Sequence, residues 1–288
     1  MKYICHLLPA IFLATVPGCE IHDEQTVSVK HKAAVYLKYH YDNGETATLR
    51  DIRSMRLFIY DNEGRLYRDT LLPLHTVLGD GPVMQTCLSR GRYTFVSWAN
   101  ISDSTVVRQP DLNRASLGLH TSGADNLLYG RFETPVVKGD SLRFDIDLFK
   151  SVFKINVLIT GLEKTPHPES HYFGIYNREA LDFFDRPSGD LKRYRPELTY
   201  DRGRLSGSFY TPYFTGDDDF TIGVYCDHPQ SQYTRLCETT IRNFADIVDE
   251  AIGHDVEINV EIAVRDTGVS ITVSDWDGVI VQDEQLGH

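Results

Sequence analysis

Strict alternation of apolar and polar residues near the C-terminal end is the feature that most constrains the fold. Apolar residues occupy every second position from Val256 to Val264, and Glu257, Asn259 and Glu261 lie between them. Successive side chains of a β-strand point to opposite faces, so this pattern predicts a strand that is buried on one face. A helix would need an apolar spacing of three or four residues. The chain is therefore expected to contain β-sheet packed on a core.

The same alternation recurs along most of the chain. It predicts strands around residues 33–39, 55–59, 65–70, 83–88, 93–99, 142–148, 153–159, 171–176, 205–210, 220–226, 233–239, 256–264, 269–273 and 279–281. The one predicted helix runs from Thr240 to Ile252, with Ile241 and Phe244 on its apolar face and Gly253 at its C-terminal cap. Many short strands and one short helix predict an all-β protein made of two tandem β-sandwich domains.

The phase of the alternation changes near Lys150, where one strand pattern ends and the next begins. We therefore predict an N-terminal β-sandwich over residues 31–149 and a C-terminal β-sandwich, carrying the short helix, over residues 150–288. Residues 19–30 are polar and acidic, and they are predicted to be a tether.

The N-terminal residues 1–18 have the pattern of a signal peptide. Lys2 precedes an apolar run that ends at Val16, and this run is shorter than the roughly 20 residues needed to span a bilayer. The following Pro17-Gly18-Cys19 resembles the lipobox of bacterial lipoproteins, which implies that Cys19 becomes the first mature residue and carries acyl chains. An ordinary signal peptide with a chance cysteine is the alternative.

A net charge of −12 limits the partners of this chain. Nucleic acids and anionic membrane surfaces carry negative charge and would repel it, so neither is expected to bind. Lipid on Cys19 would instead place the protein at the outer membrane, facing the cell surface.

Three cysteines remain beyond Cys5 and Cys19. Cys226 and Cys237 are spaced so that they could face each other across a hairpin, and either a disulfide or two thiols is compatible with a secreted protein. Cys87 is predicted to be a small buried residue.

The sequence contains none of the common catalytic or cofactor motifs: GxSxG, HExxH, the P-loop and GxGxxG are all absent. His167 and His171 lie in a proline-rich stretch and are predicted to be loop residues. The Gly216–Asp219 run is predicted to be a solvated turn. We expect neither enzymatic activity nor a metal or cofactor.

Four stretches resemble the fimbrillin-associated anchor proteins of Bacteroidales-type (type V) fimbriae: Arg53–Asp61, Leu88–Ala99, Lys150–Leu162 and Asp275–Trp276. The resemblance implies two transthyretin-like or immunoglobulin-like sandwiches. It also implies a role in holding the base of a fimbria in the outer membrane and ending its growth, with fimbrillin subunits as partners.

The resemblance further implies contact through β-strands, in which main-chain hydrogen bonds join two chains. Trp276, Val279, Ile280 and Val281 are the candidate contact residues. An anchor would keep its N-terminal strand, and the absence of arginine between Cys19 and Arg50 leaves an arginine-specific protease no site there.

Two alternative functions stay open. The first is a surface glycan-binding lipoprotein, for which Tyr172, Tyr176, Tyr210 and Tyr213 are candidate aromatic contacts. The second is a shaft or tip subunit of a fimbria.

Overall fold

A computed structural model describes residues 29–40, 52–102, 105–108, 111–139, 141–215, 218–231, 234–242, 244, 257–266 and 268–274, and the backbone of 279–284. Most of these residues lie in β-strands, and the one named α-helix, α1, spans only Leu74–Val77. The predicted all-β sandwich fold is confirmed, and α1 lies in the first half of the chain, outside the predicted helix. No helix among the described residues is long and apolar enough to cross a membrane.

The first sheet has seven strands and curls over its own core. Its strands, in chain order, are β1 (Lys30–Tyr39), β2 (Met55–Asp61), β3 (Leu66–Leu72), β4 (Met84–Ser89), β5 (Tyr93–Ala99), β8 (Leu128–Glu133) and β9 (Leu142–Lys150). Their order in the sheet is β3-β2-β5-β8-β9-β1-β4. The alternating apolar residues face inward, so that Val35 of β1 and Ile146 of β9 share a core with Leu57 of β2 and Phe95 of β5.

Two further sheets face each other and are built mainly from the second half of the chain. One contains β10 (Val152–Thr160), β13 (Thr199–Asp201), β14 (Arg204–Pro212), β17 (Glu257–Arg265), β18 (Gly268–Ser274) and β19 (Val279–Glu284), in the order β13-β14-β10-β17-β18-β19. The other contains β6 (Val106–Arg108), β7 (Ser116–Gly118), β11 (His171–Asp182), β15 (Phe220–Cys226) and β16 (Arg235–Ile241), in the order β16-β15-β11-β7-β6, while β12 (Pro187–Tyr194) pairs with β11. Ile155, Phe173 and Ile222 are among the residues that fill the space between them.

A segment from the first half of the chain lies on the second half. β7 pairs with β11, where Leu117 is opposite Leu181. Farther along, Ala124 donates its N–H to the carbonyl of Tyr210 over 2.8 Å. Strands and loops from before residue 150 are thus hydrogen-bonded to strands that follow it. The division into two domains at residue 150 stays a prediction.

The β11–β12 hairpin makes the reverse contact, from the second half to the first. Phe183 at its tip is fully buried and lies against Phe58, Tyr60 and Trp98, which are on the outer face of β2 and β5. The hydroxyl of Tyr129 donates to the carbonyl of Phe183 over 3.0 Å. β2 and β5 are thus buried on both faces, which explains why bulky residues occupy consecutive positions in them.

The predicted start of the helix at Thr240 is wrong. Thr240 and Ile241 are the last residues of β16 and pair with Thr221 and Phe220 of β15. Two β-branched residues favour the extended backbone there. Phe244, inside the predicted helix, does have helical backbone and stacks on Phe220. Most of the remaining predicted helix lies outside the described residues.

The disulfide considered between Cys226 and Cys237 is not formed. Cys226 donates its N–H to the carbonyl of Thr234, three residues before Cys237. Three residues of strand cover roughly 10 Å, which is beyond the reach of a disulfide. The prediction for Cys87 is also wrong, because Cys87 is exposed on β4 between two inward-facing neighbours.

Candidate functional site

The predicted contact segment Val279–Val281 lies in β19, at one edge of a six-stranded sheet. β19 pairs antiparallel with β18, with Ile280 opposite Val273 and Val281 opposite Thr272. It has no second neighbour among the described strands. A strand in that position presents unpaired N–H and C=O groups that can bond another strand.

β18 gives this edge a rigid support. β18 is an internal strand of the sheet, because it lies between β17 and β19. Its side chains Val269, Ile271 and Val273 are buried. Of the two strands at the C-terminal end of the chain, only β19 is therefore placed to contact another protein through its backbone.

The edge strand β4 of the first sheet is covered, in contrast to β19. The hydroxyl of Tyr67 donates to the carbonyl of Cys87, and the hydroxyl of Tyr93 donates to the carbonyl of Ser89, each over 3.2 Å. Side-chain hydroxyls thus occupy carbonyls that a strand from another protein would need. Blocking of this kind is a common way to prevent unwanted pairing at sheet edges.

The N-terminal strand β1 is an interior strand of the first sheet. It lies between β4 and β9, and Ala33 and Val35 are buried in the core. Removing β1 would separate β4 from β9 and expose this core.

Charged and amide side chains join β10 to β17 on the solvent face of the C-terminal sheet. Lys154 Nζ lies 2.7 Å from Glu257 Oε1, and Asn156 Nδ2 donates to Glu257 Oε2 over 2.9 Å and to Asn259 Oδ1 over 3.0 Å. The hydrogen bonds from Lys154 and Asn156 lower the pKa of the Glu257 carboxyl. This row of contacts ties together two neighbouring strands of the sheet that has β19 at its edge.

Two of the predicted site residues cannot be placed. Cys19 and Trp276 lie outside the described residues. Lipidation of Cys19 and a contact through Trp276 stay predictions.

The other sequence candidates have structural roles. Asp218, in the predicted acidic turn, is buried and pairs with Arg178 at 2.7 Å. His171 is the buried first residue of β11 rather than a loop residue, while His167 precedes it in a turn and stacks on His228 at 3.4 Å. No group of three or more potential metal ligands occurs among the described residues.

The four tyrosines considered for glycan binding do not form one surface. Tyr213 is buried and donates its hydroxyl to the carbonyl of Lys150. Tyr210 is on β14, in the opposite sheet from Tyr172 and Tyr176 on β11. The ring of Tyr172 is occupied by its neighbours, since the Arg195 guanidinium lies 3.9 Å from its centre.

The fold matches solved structures of bacterial surface proteins. The fimbrial anchor protein Mfa2 from Porphyromonas gingivalis aligns with a TM-score of 0.63 and 14% sequence identity, covering 88% of this chain and 99% of that one. A protein from Bacteroides thetaiotaomicron described as a putative polysaccharide-binding protein aligns with a TM-score of 0.65 and 14% sequence identity, covering 88% of this chain and 98% of that one. A putative adhesin from Bacteroides ovatus aligns with a TM-score of 0.65 and 11% sequence identity, covering 88% of this chain and 95% of that one.

Sequence comparison agrees with the structural result. None of the curated proteins matches the sequence significantly. The family model of the fimbrillin-A associated anchor proteins Mfa1 and Mfa2 matches residues 18–282, which is nearly the whole chain. The chain therefore belongs to the family of fimbrillin-A associated anchor proteins Mfa1 and Mfa2.

Proposed function

We propose that this protein is an outer-membrane lipoprotein that anchors a fimbria to the cell surface and ends its growth. Acyl chains on Cys19 hold it in the membrane, and the open edge of β19 pairs with a strand of a fimbrillin subunit. Membership of the anchor family supports the fimbrial role. The observation that carries the contact is the edge position of β19, whose outer side has no neighbour among the described strands.

The place of β1 in the fold supports an anchor rather than a shaft subunit. β1 is hydrogen-bonded on both sides and contributes to the core, so the folded protein depends on it. No arginine lies between Cys19 and Arg50, so an arginine-specific protease has no site at which to remove it.

Truncation at the C-terminal end tests the contact. A chain that ends after Asp275 lacks β19, whereas a control chain that ends after Glu284 keeps it. We expect cells with the shorter chain to shed fimbriae or to carry fimbriae of altered length, and cells with the control to resemble wild type. Unchanged attachment and length with the shorter chain would exclude β19 as the contact.

Replacement of Cys19 tests the tether separately. Several acyl chains bind a bilayer stably, whereas one chain gives only marginal binding. Cys19→Ala is expected to release the protein and its fimbriae into the medium, and fibres that stay on the cells would exclude lipid anchoring. Mass spectrometry of the N-terminus in isolated fibres separates an anchor, with lipid on Cys19, from a trimmed shaft subunit.

A further inference from the structure

Two parallel strand pairs occur in sheets that are otherwise antiparallel. β1 is parallel to β9 over seven aligned positions, from Ala33 with Leu142 to Tyr39 with Leu148. β10 is parallel to β17, also over seven positions, between Lys154 with Glu257 and Thr160 with Ala263. The other pairs of described strands are antiparallel.

The two parallel pairs are connected directly. β9 ends at Lys150 and β10 begins at Val152, so Ser151 alone separates them. Ser151 is fully buried, and the hydroxyl of Tyr213 donates to the carbonyl of Lys150. Force applied to β9 therefore passes to β10 without a flexible linker.

The direction of a pull determines how each pair responds. If the chain is pulled from the N-terminal end of β1 and from the C-terminal part of the molecule, β1 is drawn one way and the C-terminal end of β9 the other. The strands must then slide past each other, and the bonds between them carry the force together. The same holds for β10 and β17. An antiparallel hairpin pulled from its two adjacent ends instead opens one bond at a time.

Side-chain contacts reinforce the β1–β9 pair towards the C-terminal end of β1. Lys38 Nζ lies 3.6 Å from Asp145 Oδ1, and His40 Nε2 lies 2.7 Å from Asp147 Oδ1. In the β10–β17 pair, the Lys154–Glu257 ion pair and the Asn156 amide join the strands at the opposite end, where the aligned positions begin. Both pairs are thus joined by side chains as well as by backbone, and sliding would have to break both sets of contacts.

We propose that the β1–β9 and β10–β17 pairs are two mechanical clamps in series, which carry tension between the N-terminal tether and the C-terminal sheet. The inference rests on the proposed function for the source of the tension. The clamps themselves follow from strand direction and connectivity.

Single-molecule force spectroscopy tests the proposal on the full chain. Handles are attached to cysteines introduced by Val29→Cys and Asp266→Cys, after Cys5, Cys19 and the exposed Cys87 are replaced by serine. Cys226 and Cys237 are buried and stay in place. Val29 precedes β1 and exposed Asp266 follows β17, so this pull loads both clamps by sliding.

A second pair of handles supplies the control direction. Val29→Cys combined with Arg90→Cys pulls on adjacent ends of β1 and β4, because Lys30 is opposite Ser89 in that antiparallel pair. We expect the unfolding force to be at least about twofold higher for the Val29–Asp266 pull, since bonds loaded together give a slower unfolding rate under force. Equal forces in the two directions would overturn the proposal.

Two adjacent alanines of β1 provide matched variants. Val35 accepts a hydrogen bond from Val83 next to β4, so strand alternation directs the N–H of Ala33 towards β4 and that of Ala34 towards β9. Proline removes one N–H in each case. Ala34→Pro should lower the Val29–Asp266 unfolding force more than Ala33→Pro, and equal losses would count against the clamp. If either variant fails to fold by circular dichroism, the comparison of pulling directions decides alone.

These measurements are independent of the anchor assay. A low sliding force would overturn the clamps while leaving the shedding of fimbriae by Cys19→Ala unaffected. Conversely, fibres retained by that variant would exclude lipid anchoring but would not change the measured forces.

Discussion

The ring of Phe183 packs on the ring of Phe58, with 4.8 Å between the ring centroids, and joins the two halves of the chain. Phe58 belongs to β2 of the first sheet, and Phe183 is at the tip of the hairpin between β11 and β12. Because the contact is completely buried, it couples folding of the hairpin to folding of the first sheet.

Replacing Phe183 with alanine should lower the free energy of unfolding by about 3–5 kcal/mol, since a large buried ring would leave a cavity. Phe184 is a matched control in the same turn. It is half-buried, with the Arg131 and Arg186 guanidinium groups 4.3 and 4.9 Å from its ring, so Phe184→Ala should cost about 1 kcal/mol. Urea denaturation measures both values, and equal losses would contradict the role assigned to Phe183.

The neighbouring Asp185 predicts a dependence of stability on pH. Burial raises the pKa of its carboxyl to about 8, although a hydrogen bond from the Ser151 hydroxyl partly opposes the rise. Between the ordinary value of 3.8 and about 8, the folded protein holds a proton that the unfolded chain releases. The free energy of unfolding should therefore fall as the pH rises through this range.

Asp185→Asn should remove that fall and stabilise the protein at pH 8 by about 1–3 kcal/mol. Asparagine suits the left-handed backbone at this position, where φ is 60°, and its side-chain oxygen can still accept from Ser151. Thermal or urea denaturation from pH 4 to 9 measures the effect. Asp190→Asn, at an exposed position, is the control. If the free energy of unfolding of Asp185→Asn falls with pH as steeply as that of wild type, Asp185 is not the group responsible.

The buried pair of Arg178 and Asp218 should have the opposite dependence on pH. Burial by itself would raise the pKa of the Asp218 carboxyl, but hydrogen bonds from Arg178 and Thr215 outweigh it and lower the pKa. The pair therefore stabilises the protein above the ordinary pKa of aspartate, and this contribution is lost as the pH falls through the lowered value.

At pH 7, Asp218→Asn should cost about 2–4 kcal/mol, because it leaves the Arg178 guanidinium without its charged partner. The matched control is Asp201→Asn. Asp201 pairs with Arg202 at 4.0 Å, with both side chains more than 80% exposed, so its loss should stay within about 0.5 kcal/mol. Below pH 4, the difference in the free energy of unfolding between wild type and Asp218→Asn should become smaller. A difference that does not change with pH would argue against an ionised Asp218.

The strands were predictable because their pattern is local. Alternation of apolar and polar residues located β1, β2, β9, β10 and β17 correctly. A strand with one buried face has an apolar residue at every second position, and this repeat is visible within a few neighbouring residues. Their order in the sheets was not predictable. The sequence indicated a strand at Val279–Val281, but its position at an edge depends on which strands it pairs with, and those pairings are set by the whole fold.

The contacts between the two halves were missed for the same reason. β7 is a three-residue strand whose partner in β11 lies more than 60 residues away. Phe183 and Phe184 stand between Asp182 and Asp185, and this composition looks like a surface turn. The adjacent aromatic pair in an otherwise acidic turn was the one signal that could have indicated a buried tip.

Gly161 and Gly139 provide a final test, of the close approach between β10 and β17. Both glycines have a left-handed backbone, with φ of +83° and +92°. A Cβ on Gly161 would collide with the carbonyl oxygen of Val264, next to the last aligned position of the β10–β17 pair, whereas a Cβ on Gly139 would meet nothing within 4 Å. Gly139→Ala should therefore cost only the backbone strain, about 1–2 kcal/mol.

Gly161→Ala should cost at least about 3 kcal/mol, because either Val264 or the start of the following turn has to move. Urea denaturation of the two variants gives the comparison directly. A similar loss in both would mean that β10 and β17 can separate at this end without cost. The large difference expected instead would show that the end of this strand pair is tightly packed.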